Sequence, residues 1–137
     1  MEDIKSILAP MVERIGAISR KPGEHPTDAI LRQGFQAEFV WNHAKALATD
    51  SADANRIMRL AAWLFATGVK NHDALVYLMA EFARLRPRNP FAYFAPGSAA
   101  RDGVLERFHG ERSAVEGQKF KAQDRELMEG LGGRHDG

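Results

Sequence analysis

Cysteine is absent from the 137 residues, which excludes disulfide frameworks, thiolate zinc sites and thiol nucleophiles. No window holds the roughly 20 apolar residues that a membrane-spanning helix needs. The N-terminal MEDIKSILAP places two acids in its first three residues and has no long apolar run, so neither a signal peptide nor a transit peptide is expected there. A cysteine-free chain fits a reducing compartment, and a cytoplasmic protein without membrane association is expected. Surplus charge is lacking as well. Lys and Arg number 19 against 18 Asp and Glu, a formal net charge of +1, so nucleic-acid binding has to come from local clustering and not from the total.

Catalytic signatures are sparse. His25, His43, His72, His109 and His135 lie far apart, with no His-Glu-x-x-His and no His-x-x-x-His pair, so neither a metal nor a cofactor is expected. A phosphate-binding Gly-x-x-x-x-Gly-Lys-Ser/Thr loop is missing. Ser98, after Pro96-Gly97, lacks the strand and flanking glycines of a nucleophile elbow and reads as a helix N-cap. His43 beside Trp41 reads as a half-buried polar tip in place of a ligand or base. A non-enzymatic protein is expected, and a small helical hydrolase or metal protein is the least supported class.

What the chain does have is 45% apolar and 9% aromatic residues, enough to offset the entropy of folding over a single-domain length. Ile4, Ile7, Leu8, Met11, Val12, Ile15 and Ile18 recur at the steps of one helix face. Pro10 predicts a kink there, or a short helix followed by a second with Pro10 in its first turn. Lys21 to Pro26 is a loop. Thr27 is expected to cap one long helix with Ile30, Leu31, Phe35, Phe39, Val40, Ala44 and Leu47 inward. After a turn at Thr49, Asp50 and Ser51, a third helix carries Ile57, Met58, Ala61, Leu64 and Phe65 to a left-handed stop at Gly68. A fourth opens at Asn71 or His72, buries Leu75, Val76, Leu78, Met79, Phe82 and Leu85, and ends at Pro87. Asn89 then caps a short turn at Pro90, and Ser98 opens a last helix reaching about Glu129.

No alternating strand pattern and no internal repeat occurs. The fold class expected is therefore all-α: a compact bundle of five or six helices over 1–110, with a charged C-terminal helix extension and disordered tail over 111–137. The sparse apolar residues Phe108, Val115, Phe120, Leu127 and Met128 leave that last helix in want of a second chain. A homodimer or a protein partner is expected on it.

One stretch interleaves cations with rings. Glu81 to Gly103, EFARLRPRNPFAYFAPGSAARDG, gathers three arginines, an Asn-Pro helix start and Phe91, Tyr93 and Phe94. Between Val69 and Arg101 the cations are Lys70, Arg84, Arg86, Arg88 and Arg101 against Asp73 and Glu81. Arginines at a helix C-terminus are favoured by the dipole alone. Joined to stacking faces they make a phosphate clamp suited to single-stranded nucleic acid, so Lys70, Arg84, Arg86, Arg88, Tyr93 and Arg101 are the candidate contacts. Phe91 and Phe94, three apart, read as core plugs as readily as stacking rings. A helix-turn-helix across Met58 to Met79, with Lys70, Asn71 and His72 meeting a groove, competes with a plain helical hairpin. Leu64 is bulky where close approach needs a small residue.

The order Arg-x-Arg, then Asn89-Pro90-Phe91-Ala92-Tyr93, then Arg101-Asp102-Gly103 resembles the Asn-Pro-x-x-Tyr segment and following Arg-x-Gly of replication initiation proteins of plasmids, phages and integrated elements. The resemblance covers Ala74 to Gly103 and implies a helical DNA-associated module, an accessory of mobile-element replication or transfer. A protein-protein adaptor that binds through apolar helix faces is the alternative. The two differ in salt response, since phosphate contacts weaken steeply with salt and an apolar interface hardly changes.

Overall fold

The computed structural model describes residues 4–15 and 18–113. Among them there is no strand, and the helices are α1 (Ile4–Ile15), α2 (Pro26–Arg32), α3 (Ala37–Leu47), α4 (Ser51–Ala66), α5 (His72–Leu85), α6 (Pro90–Tyr93) and α7, residues 99–113. The protein is all-α. The chain divides into two units, Met1–Val104 and Leu105–Gly137; residues 105–113 of the second are helical. The expected extension of the last helix to Glu129, and the tail after it, lie outside the described residues. No helix among the described residues is long and apolar enough to cross a membrane.

Among the described residues there are seven helices where five or six are expected, because the long second helix is two. Gly34 adopts φ +99°, a conformation that no helix interior contains and that glycine alone enters cheaply. The N–H of Phe35 reaches the Ile30 carbonyl at 3.4 Å and that of Gly34 reaches Leu31 at 3.1 Å, the two bonds of a Schellman stop. Ile30 and Phe35, at the two positions whose apolar side chains commonly accompany such a stop, are both buried. The same motif closes α4, where Val69 bonds Leu64 at 2.9 Å, Gly68 bonds Phe65 at 3.2 Å and Gly68 sits at φ +122°. Thr27 is not the cap of α2 either. His25 Nδ1 accepts from the Thr27 N–H at 3.2 Å, and Thr27 is buried in the first turn.

Pro10 lies inside α1 on its exposed side. The helix runs through it because Ile7 and Leu8 before it and Met11 and Val12 after it form one buried stripe. That stripe packs on α4, and such packing outweighs the loss of one backbone bond. α4 is the hub: α1, α3 and α5 all pack on it, burying Ile57, Met58, Leu60, Leu64 and Phe65 together with small Ala54, Ala61 and Ala62.

Two glycines give a clean test of backbone conformation. Neither Gly34 nor Gly103 has an atom within 4 Å of where a Cβ would stand, so only φ separates them. Gly34→Ala is expected to cost about 1 kcal/mol or more, while Gly103→Ala, inside α7, gains up to about 1 kcal/mol. Urea unfolding of the two variants checks this, and destabilisation by both contradicts it.

Candidate nucleic-acid interface

After α5 the chain doubles back along α4. Arg86 caps α5 in the left-handed region at φ 48°, the only non-glycine with positive φ among the described residues, and Pro87 prevents any continuation of the helix. From there the guanidinium reaches Asp53 in the first turn of α4 with both arms, Nη1 to Oδ1 at 2.6 Å and Nη2 to Oδ2 at 2.9 Å. Asn89 Oδ1 then caps α6, accepting from the Ala92 N–H at 3.2 Å. Phe91 meets Trp63 of α4 edge-on at 5.4 Å, and Phe94 is fully buried, so that ring is core. The Ser98 hydroxyl caps α7, accepting from the Arg101 N–H at 3.1 Å. Arg101 finally reaches the end of α4, donating to Thr67 Oγ1 at 2.9 Å and to the Thr67 carbonyl at 3.0 Å.

The six residues singled out from sequence do not converge on one clamp. Arg101 is only 6% exposed, burial pushes its pKa down, and its described partners are neutral oxygens of Thr67 and Phe94. It serves as a C-terminal cap on α4. Arg86 is bound to Asp53, whose carboxyl side chain is 5% exposed. Arg86, the backbone N–H of Thr49 and nearby Arg56 hold that carboxyl down at about 2 against its ordinary 3.8. Arg84 pairs with Glu81 at 2.6 Å. Lys70 lies 4.1 Å from the Phe65 ring centroid and donates to Gln33 Oε1 at 3.3 Å; burial lowers its pKa. Tyr93 is 38% exposed with its ring edge-on to Phe94 at 4.9 Å. Arg88 is exposed and stands in no ion pair among the described residues.

The neighbours of Lys70 that a helix-turn-helix would send into a groove are committed to the fold. Asn71 Oδ1 accepts from Asp73 and Ala74 N–H groups to cap α5. His72 Nε2 accepts from the Gln36 N–H at 3.0 Å, and burial depresses its pKa.

No protein-family model, no curated protein and no solved structure matches this chain. The site therefore rests on its own geometry.

That geometry brings forward residues outside the basic-aromatic segment. Arg56, Arg59 and Trp63, spaced by three and four, share the outer face of α4. Arg56 is exposed and 3.6 Å from Asp53. Arg59 is half-buried, and its Nε has no hydrogen-bond partner. Trp63, half-buried, carries Phe91 edge-on. Asp53 is shared by Arg86 and Arg56, so one carboxylate faces two guanidinium groups, with Arg59 on the next turn. The spacing of Arg56, Arg59 and Trp63 carries this signal in the sequence, but the apolar residues of α4 draw attention to its inner face alone.

Proposed function

We propose that the protein is a non-enzymatic helical module that contacts nucleic acid through the outer face of α4. Arg56 and Arg59 neutralise phosphates there, Arg88 adds charge from the following loop, and Trp63 with Phe91 offers a ring surface to bases. The observation that carries this is the i, i+3, i+7 run of two arginines and a tryptophan, with a second ring set against it. Charge beside aromatic faces is the chemistry of sequence-tolerant binding to single strands. A role as accessory in mobile-element replication or transfer rests on the resemblance over Ala74 to Gly103. Cytoplasmic placement belongs to the same proposal. The rival, an adaptor with a protein partner, draws on the exposed Phe39, Leu85 and Tyr93, but large apolar residues scattered singly are ordinary on a surface.

Oligonucleotide titration across a range of salt tests the proposal. The triple variant Arg56→Ala, Arg59→Ala, Arg88→Ala is expected to bind more weakly and to flatten the salt slope by about one unit for each phosphate that is no longer neutralised. Wild-type protein that fails to bind at low salt, or a triple variant with unchanged affinity and slope, refutes it.

A further inference from the structure

Two side chains tie the corner between α2 and α3 to the start of α5. Lys70 donates to Gln33 Oε1 at 3.3 Å, and the Gln36 N–H donates to His72 Nε2 at 3.0 Å. Gln36 is the N-cap of α3 and makes no side-chain cap of its own. Three residues on, where a Glu or Gln would reach back to that N–H in a capping box, stands Phe39. The imidazole of His72 takes over that task from another helix. Its ring lies among Phe35, Phe39 and Phe65, with centroids 6.1, 6.2 and 5.8 Å away. Phe35 and Phe65 are buried, whereas Phe39 is exposed.

We propose that His72 is an acid-sensitive latch: the neutral imidazole holds the α2–α3 corner on α5, and protonation of Nε2 releases it. To accept the Gln36 N–H, Nε2 must be bare, which places the ring proton on Nδ1. An imidazolium carries a proton on each nitrogen and has nothing to accept with, so the bond and the cation exclude each other. Burial also disfavours the cation, as does the positive end of α5, of which His72 is the first residue. Asp73 pulls the other way, and ring faces at about 6 Å favour a cation weakly. On α3 the titratable groups towards this corner are Glu38 in the first turn and His43, which shares the Phe39 ring at 4.4 Å. α4 has no basic residue in its last turn, and Lys70 beyond it lies over the Phe65 ring. Lys70 stays charged in acid and keeps Gln33, so the corner loosens at Gln36. Because the folded pKa lies below the ordinary 6.5, the latch is complete above that value and is lost as pH falls through the folded one. Release uncovers Phe35 beside the already exposed Phe39. None of this rests on the reading of α4.

Nuclear magnetic resonance of the full chain tests the latch. Asp53 keeps its charge down to about 2 and is silent in the range where histidine titrates. His25 also lends its Nδ1 to a backbone N–H, that of Thr27, so the titration is made on the His25→Asn variant, asparagine being a good N-cap. Imidazole nitrogen spectra at neutral pH are expected to show His72 Nε2 bare and Nδ1 protonated. As pH falls from about 7 to about 5, exchange protection of the Gln36 amide is expected to drop about tenfold, with the midpoint of the His72 titration. Adding His72→Gln, whose side-chain oxygen accepts but does not titrate, removes the drop. If that variant does not fold, the tautomer and the shared midpoint of its parent still decide the matter. A proton on Nε2 at neutral pH, Gln36 protection unchanged through the His72 titration, or an equal drop in the folded His72→Gln variant overturns the proposal. A drop of the same size at the Leu60 amide, in the middle of α4, signals unfolding of the whole domain and overturns it as well.

Discussion

Asp53→Ala is expected to lower the free energy of unfolding by about 2–3 kcal/mol, the range for losing a hydrogen-bonded charged group whose own carboxylate is buried although its Arg86 partner is exposed. The carboxylate accepts both arms of Arg86 and the Thr49 N–H, and it faces Arg56. Its loss leaves Arg86 without its ion-pair partner, held by the Ala83 carbonyl and the Phe82 ring, in a left-handed conformation that costs a non-glycine residue. The pH dependence follows from the depressed carboxyl. Because the folded pKa of about 2 lies below the ordinary 3.8, the stabilisation of about 2 kcal/mol is complete above the ordinary value and is lost as pH falls through the folded one. Urea unfolding of wild type and variant between neutral pH and pH of about 2 checks both parts. The gap between the two proteins narrows on acidification. A gap that is small at neutral pH, or that widens in acid, contradicts the assignment. Arg86→Gly relieves the strain while removing the pairing, since glycine takes φ 48° without penalty and forfeits the ion pair with the exposed contacts to the Ala83 carbonyl and the Phe82 ring; it should cost less than Asp53→Ala.

Arg101→Met is the second large effect, with an expected cost of about 3 kcal/mol. The side chain fits the space, but the Thr67 carbonyl and hydroxyl and the Phe94 carbonyl lose their donor inside the protein. Arg101→Lys is not a conservative repair. A single ammonium cannot reproduce the planar fork that spans Thr67 from two nitrogens, so recovery of less than half the loss is expected. Chemical unfolding gives the stability and oligonucleotide titration of the folded fraction gives the affinity. A cost under about 1 kcal/mol, or binding abolished without any loss of stability, returns Arg101 to the surface role that its sequence position invites.

Helix type and order are legible in the sequence wherever periodicity coincides with a visible stop. Asp50, Asn71, Asn89 and Ser98 all cap the helices they precede, and Gly68 ends α4 as its position announces. Gly34 announces α2's end by the same chemistry, yet it sits in a run whose apolar residues continue the helical period on both sides. Periodicity cannot register a change of direction when the next helix resumes in phase. The basic segment misleads differently. Sequence shows that Arg86 and Arg101 are cations, but their partners Asp53 and Thr67 lie more than thirty residues away. Local composition therefore counts as surface charge what tertiary contact consumes. Arg56, Arg59 and Trp63 are legible at helical spacing, and only their distance from the obvious cluster hides them.

α4 is held on its inner side by three other helices and along its outer side by a stretch of chain fastened at Asp53, Trp63 and Thr67. A partner landing on Arg56 and Arg59 meets a backbone that has already surrendered its freedom. Association there costs little entropy in ordering the helix, and only the long side chains remain to be fixed. The rigidity that the core requires thus becomes preorganisation at the surface.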